Sequence, residues 1–143
     1  NLASGTFNLN GFSQTIASLD GAGAVALSSN TAGGSLTVGS GVFSGTISNG
    51  GTQSGMLTVT GPGQLSLTGA STYTGPTNVN AGTLSVNGSL ASTVFVNAGG
   101  MMKGNGSVGG LNVMSGGTAA PGLLDFSASI NPLGPPASVL RPR

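Results

Sequence analysis

The sequence predicts an all-β fold, a right-handed parallel β-helix (β-solenoid) that ends in a Pro-rich irregular tail. Three observations carry this prediction. Short runs alternate apolar residues with Ser, Thr or Asn, glycine or Asn-Gly punctuates them, and parts of the runs return at a fixed step. Alternation marks strands with one buried face. The punctuating residues tolerate the positive φ of tight turns. A fixed step without helices marks a solenoid, in which one coil of chain forms one rung. No stretch keeps a helical apolar period over three turns, and helix formers such as Glu and Lys are nearly missing. The 28 glycines lack the strict third-residue period of a collagen helix.

Along the chain, Thr6 to Ser18, Gly23 to Leu27 and Gly34 to Ile47 carry apolar pairs, with strands expected at Thr6–Leu9 and Ser35–Val38. Their connections are variable, so 28–33 and 48–55 are expected to bulge from the stack. Strands are then expected at Met56–Thr60, Gln64–Thr68, Thr83–Val86 and Thr93–Val96. Val79-Asn80-Ala81-Gly82 returns as Val96-Asn97-Ala98-Gly99, and at an equal step returns again as Val113-Met114-Ser115-Gly116. Asn87-Gly88-Ser89 returns as Asn105-Gly106-Ser107 at nearly the same step. The expectation is a stack of coils of about 17 residues, with strands in parallel register at roughly 4.8 Å.

The expected core is Leu57, Val59, Leu65, Leu67, Val79, Leu84, Val86, Val94, Val96 and Val113. Burying each such side chain contributes roughly 1.5–3 kcal/mol, against roughly 1–2 kcal/mol per ordered backbone residue. The hydrophobic term alone barely balances, so the backbone ladder and stacked turns must add to it. Asn80 and Asn97 fall at matching turn positions. They either bond amide to amide along the axis or serve as residues that tolerate left-handed geometry.

Composition restricts function. Of 143 residues only Asp20, Lys103, Asp125, Arg141 and Arg143 are charged, and His, Cys and Trp are absent. A typical domain has about a quarter of its residues charged, so neither a charge-covered soluble enzyme nor a disordered polyampholyte fits. No basic stripe exists to neutralise phosphates, so no nucleic-acid partner is expected. Without Cys there is no disulfide framework or thiolate metal site. No apolar run approaches the roughly 20 residues of a membrane-spanning helix, so no membrane insertion by this segment is expected. The chain opens at Asn1 without Met or a charged-then-apolar leader, as a fragment or processed piece would.

No catalytic, cofactor-binding or metal-binding residue is assigned, and no cofactor. Lyases and glycosidases need positioned acids and bases, and glycosidases need two carboxyl groups within about 10 Å. Asp20 and Asp125 fall near opposite ends of the chain, and Asp20 in SLDGAG reads as a turn cap. Ser and Thr are plentiful, but nothing present activates them as nucleophiles. Gly61-Pro62-Gly63 and Gly104-Asn105-Gly106 read as turns, because no helix follows to make a phosphate loop. Tyr73 and Phe12 either stack on a sugar or fill a coil corner.

Residues 65–84, LSLTGASTYTGPTNVNAGTL, resemble the passenger-associated repeat of bacterial autotransporters, and most of 6–122 is similar to such passengers. The departures are Pro76, Met101-Met102-Lys103 and Ala119-Ala120, which suit turns or exposed positions, with Lys103 pointing outward. The resemblance implies a secreted or surface-displayed parallel β-helix whose repeat supports export and folding. The tail LDFSASINPLGPPASVLRPR instead resembles, over about a dozen residues, the N-terminal text of the histidinol-phosphate aminotransferase and threonine-phosphate decarboxylase group; it is assigned no activity. The expected organisation is a passenger-like β-helix over 1–122 and a Pro-rich tail over 123–143.

Three functions follow as expectations. The first is a non-catalytic stalk, partnered by neighbouring rungs. The second is an extracellular fibre subunit, since open β-helix ends are unpaired edges that could take like subunits end to end. The third is an adhesive module contacting host surface or glycans.

Overall fold

The alternating runs and glycine turns assemble into stacked coils. The computed structural model describes residues 1–120 and the strand Asp125–Phe126; the rest of the expected tail over 123–143 lies outside the described residues. Among the described residues there is no helix. The strands are β1 (Thr6–Asn8), β2 (Ser13–Ser18), β3 (Ala24–Ala26), β4 (Ser35–Phe43), β5 (Thr46–Ser48), β6 (Met56–Val59), β7 (Gln64–Leu67) and β8 (Ala70–Ser71). They continue as β9 (Thr77–Val79), β10 (Gly82–Val86), β11 (Ser89–Val96), β12 (Gly100–Lys103), β13 (Ser107–Val113), β14 (Thr118–Ala119) and β15 (Asp125–Phe126).

These strands form three parallel stacks. The first runs β2, β4, β6, β9, β11, β13. The second runs from the end of β4 through β7, β10 and β12 to β14. The third joins β1, β3 and β5, then β8, β11, β13 and β15. Its two parts meet where the Thr72 N–H donates to the Ile47 carbonyl at 2.8 Å. β4, β11 and β13 each serve two stacks, which carries the ladder around the corners.

The stacks send columns of side chains inward, two of them from the first stack. In the first, Val38, Val59, Val79, Val96 and Val113 lie in direct register, so the three repeated valines share a column as expected. Every expected core residue is buried except Val113, which is partly buried against the cluster. In the second stack Leu65, Leu84 and Met102 align. This corrects one expectation. Gly100–Lys103 is a strand, and Met102 is fully buried rather than at a turn or exposed position. A long, unbranched thioether fills the end of a leucine column without strain. Lys103, one residue on, falls on the outward side of the pleat.

The coil length also departs from the single expected step. Thr77, Val94 and Leu111 are successive partners at that step. In the first half the successive partners Ser13, Ser35 and Met56, and then Leu57 and Thr77, lie farther apart along the chain. The strands are commensurate throughout; the surplus lies in the connections. The segments after β3 and β5 are the expected bulges, and they stack on one another. The Ser28 N–H donates to the Asn49 carbonyl at 2.5 Å, and the Thr52 N–H to Asn30 Oδ1 at 3.1 Å. Connections therefore lengthen in register with their neighbours, because each extra turn must satisfy its own backbone groups.

One corner carries a glycine spine that composition alone does not reveal. Gly5, Gly23, Gly45, Gly69, Gly88 and Gly106 recur once per coil. A Cβ on Gly45, Gly69, Gly88 or Gly106 would lie 1.8, 2.2, 2.1 or 2.0 Å from the carbonyl oxygen of the preceding spine glycine. That carbonyl is engaged across the corner: Ala24 N–H donates to Gly5, Thr46 to Gly23, Ser89 to Gly69 and Ser107 to Gly88, at 2.8–3.3 Å. Backbone packs on backbone here, so glycine is required by contact distance.

Candidate functional site

The most specific local text, Thr72-Tyr73-Thr74-Gly75-Pro76-Thr77, turns the corner between β8 and β9. Tyr73 points into the solenoid and is fully buried, the largest side chain of the core. Around it the inward columns shrink. Where other coils carry Leu36, Leu57, Val94 and Leu111, this coil carries Thr77. Where others carry Val25, Ile47, Leu90 and Val108, it carries Ser71. The smaller neighbours make room for one phenol at constant interior density.

A buried phenol needs a partner for its hydroxyl. Tyr73 Oη lies 2.5 Å from Thr77 Oγ1, Thr77 Oγ1 lies 2.8 Å from Ser92 Oγ, and Ser92 Oγ donates to the Gly75 carbonyl at 2.6 Å. Ser92 has one proton and gives it to Gly75. Thr77 therefore donates to Ser92, and Tyr73 to Thr77, so each hydroxyl donates once. No buried polar side-chain atom among the described residues is left without a partner. Outside, Asn49 clamps the same corner to the coil before. Its Oδ1 accepts from the N–H groups of Gly55 and Thr74, both at 3.1 Å, and its Nδ2 donates to Thr74 Oγ1 at 3.0 Å.

Burial pushes the Tyr73 hydroxyl well above its usual range, outweighing the opposing effect of the neighbouring Thr77 and Ser92 hydroxyls. The folded state then holds a proton that the unfolded chain releases above about pH 10. Stability from this group is complete below that pH and is lost as pH rises past it. Tyr73 is the sole tyrosine and there is no Trp. We expect the phenolate ultraviolet band to appear together with loss of β circular dichroism in an alkaline titration. Ionisation at an ordinary tyrosine pH in a still-folded chain would contradict the burial.

The other candidates fall elsewhere. Phe12 is 67% exposed, at the opposite extreme from Tyr73, although sequence offered both the same two roles. Asp20 ties its turn to the next coil: Oδ1 accepts from the Val42 N–H at 2.9 Å and Oδ2 from the Ser18 hydroxyl. The Ser18 bond first, and the Val42 bond second, hold its carboxyl below the usual carboxylate value. An open hollow of about 330 Å³ is lined by Leu2, Phe7, Ile16 and Leu19 with Asp20 as its one carboxylate, whereas sugar hydrolysis needs two. Lys103 lies four coils from Asp20 along the second stack. Among the described residues no group of three His, Cys, Asp or Glu could hold a metal.

The repeated asparagines form an amide ladder. Asn97 Nδ2 donates to Asn80 Oδ1 at 2.8 Å, and neither residue has positive φ. The left-handed positions of these turns belong to Gly82, Gly99 and Gly116. Gly61-Pro62-Gly63 and Gly104-Asn105-Gly106 are turns, with positive φ at Gly61 and Gly104. The Ser92 link escaped sequence reasoning, because a serine in a Ser/Thr-rich strand carries no signal of burial. The one available hint was a lone tyrosine in an otherwise aliphatic run.

Comparison with known proteins places this corner inside a recognised unit. Residues 57–86 match the family Passenger-associated-transport-repeat. Over 68 residues, 48% of the chain, the sequence is 44% identical to an extracellular serine protease of Serratia marcescens. Over 84 residues, 56% of the chain, it is 43% identical to the adhesin BmaC autotransporter of Brucella suis biovar 1 (strain 1330). The matched stretches span 6% and 2% of those proteins. No solved structure matches.

Proposed function

We propose, from the premise that this chain is an autotransporter passenger segment carrying a passenger-associated transport repeat, that it is a non-catalytic stalk supporting export, folding and display at the bacterial surface. The observation that carries the reading is the unbroken register through residues 57–86: coils before and after the repeat continue the ladders of the first and second stacks. A chain that stacks coil on coil needs only its nearest neighbour to fold. It can therefore cross a pore unfolded, and each coil that stacks outside opposes backsliding. A sparsely charged, cysteine-free chain suits that passage. The test is deletion of residues 65–84 from the parent protein, read by protease accessibility at the cell surface. Display should fall severalfold or more; unchanged display would remove the reading.

An adhesive role is the second reading, favoured by the exposed ring of Phe12 and by the relative named as an adhesin. It requires that Phe12→Ser lower binding to host cells or immobilised glycans without changing display. Equal binding by the variant counts against it.

A further inference from the structure

We infer that the hydroxyl relay Tyr73–Thr77–Ser92 is a register lock, which selects the coil bearing Thr77 as the one on which the next coil stacks. The need for selection lies in the sameness of the other coils. The inward pairs of the first stack are Leu36/Val38, Leu57/Val59, Val94/Val96 and Leu111/Val113, all aliphatic and of similar volume. Hydrophobic burial is non-directional, so it cannot tell a strand that pairs Val94–Val96 with Thr77–Val79 from one that pairs it with Leu57–Val59. A folding chain could set the later strand against the earlier one and leave the coil between them unstacked.

The relay breaks this equivalence. Thr77 is the one polar residue among the buried members of its column. Its hydroxyl bridges two coils, accepting from Tyr73 within its own and donating to Ser92 of the next. Ser92 then closes the path by donating back across the coil boundary to Gly75. Only the native stacking joins all three hydroxyls in one path through the dry interior. If Val94 stacked on Leu57, Ser92 would lose both Thr77 and Gly75 and keep only its 3.1 Å bond to the Thr93 carbonyl, while Tyr73 and Thr77 would leave the interior with the unstacked coil, the situation that makes polar groups decisive for register. On its other side Gly75 packs backbone to backbone on the coil before, since a Cβ there would lie 2.1 Å from the Gly55 carbonyl oxygen. The lock lies where the family match covers Tyr73 and Thr77, and extends one coil beyond it to Ser92.

The full chain has no cysteine, so cross-linking can report register directly. Asn78 and Phe95 are direct partners facing outward, whereas Thr58 partners Asn78 and lies two coils from Phe95. Direct partners fall within disulfide range and residues two coils apart do not. Pairs N78C/F95C and T58C/F95C would be built, and each refolded from denaturant in oxidising glutathione buffer. With the relay intact, only the first pair should cross-link. Thr77→Val keeps the shape and removes the hydroxyl; it should raise the 58–95 cross-link at least threefold. Thr77→Ser restores the hydroxyl and should return that cross-link to the level of the unaltered chain.

Exclusive 78–95 cross-linking with Thr77→Val would overturn the lock, as would equal mispairing by the valine and serine variants. Should Thr77→Val not fold, the shape-conserving triple Tyr73→Phe, Thr77→Val, Ser92→Ala, which strands no hydroxyl, takes its place with the same expectations. If neither folds, the relay serves stability and not choice, and the inference fails. The assay uses purified chain, so its outcome is separate from that of the display experiment.

Discussion

Gly88→Ala is expected to lower stability by about 3 kcal/mol or more, the upper range for overpacking a rigid interior. The added methyl would sit 2.1 Å from the Gly69 carbonyl oxygen and 2.5 Å from that of Thr68. Both are backbone atoms, and the Gly69 carbonyl already accepts the Ser89 N–H at 3.2 Å. Relief requires the two coils to part and that ladder bond to break. Gly99→Ala is the matched control. Gly99 has φ of +89°, but its Cβ would meet nothing nearer than the Asn80 oxygen at 3.5 Å. Its cost is conformational only, roughly 1–2 kcal/mol. Denaturant midpoints at constant slope would rank the two. Equal losses would mean that the spine is a set of turns and not a contact. Because coils depend on their neighbours, amide exchange in Gly88→Ala should also accelerate on both sides of the altered corner.

Leu84→Ala carries the second large effect, an expected loss of about 3 kcal/mol from a cavity in a column that cannot collapse. Leu84 is fully buried and stacked between Leu65 and Met102, each held by its own strand ladder. Leu84→Met should lose less than about 1.5 kcal/mol, since methionine already occupies the same column one coil later. Thr83→Ala, on the outward side of the same strand, should stay within about 0.5 kcal/mol. Thermal melts followed by β circular dichroism give the comparison. A Leu84→Ala chain as stable as Thr83→Ala would show that the second stack is not the core.

Much of this organisation was legible in the residues. Alternation located β1, β6, β7 and β10 to within a residue or two, because a strand with one dry face has no other way to arrange its side chains. Val79, Val96 and Val113 could be aligned by their shared Val-x-x-Gly text, since glycine at a positive-φ turn recurs wherever the coil bends the same way. The family resemblance drawn from residues 65–84 agrees with the match over 57–86. Three features were not legible. The coil length of the first half was hidden because insertions sit in polar connections with no period of their own. Met102 was misread because neighbouring Met101 and Lys103 suggested a surface, although alternation puts only those two outside. Ser92 and Thr77 look like any other hydroxyl residues of their strands.

The chain alone therefore determined that there would be parallel coils, where most strands lie and which aliphatic side chains line the interior. These are local consequences of alternation and turn chemistry. Only the folded structure decided which coil touches which. It brought six glycines, one from each successive coil, into one backbone contact, sent Tyr73 inward while Phe12 faces water, and joined Tyr73, Thr77 and Ser92 across a coil boundary. Contacts of that kind depend on the summed lengths of every intervening turn, a quantity that no short stretch of sequence contains.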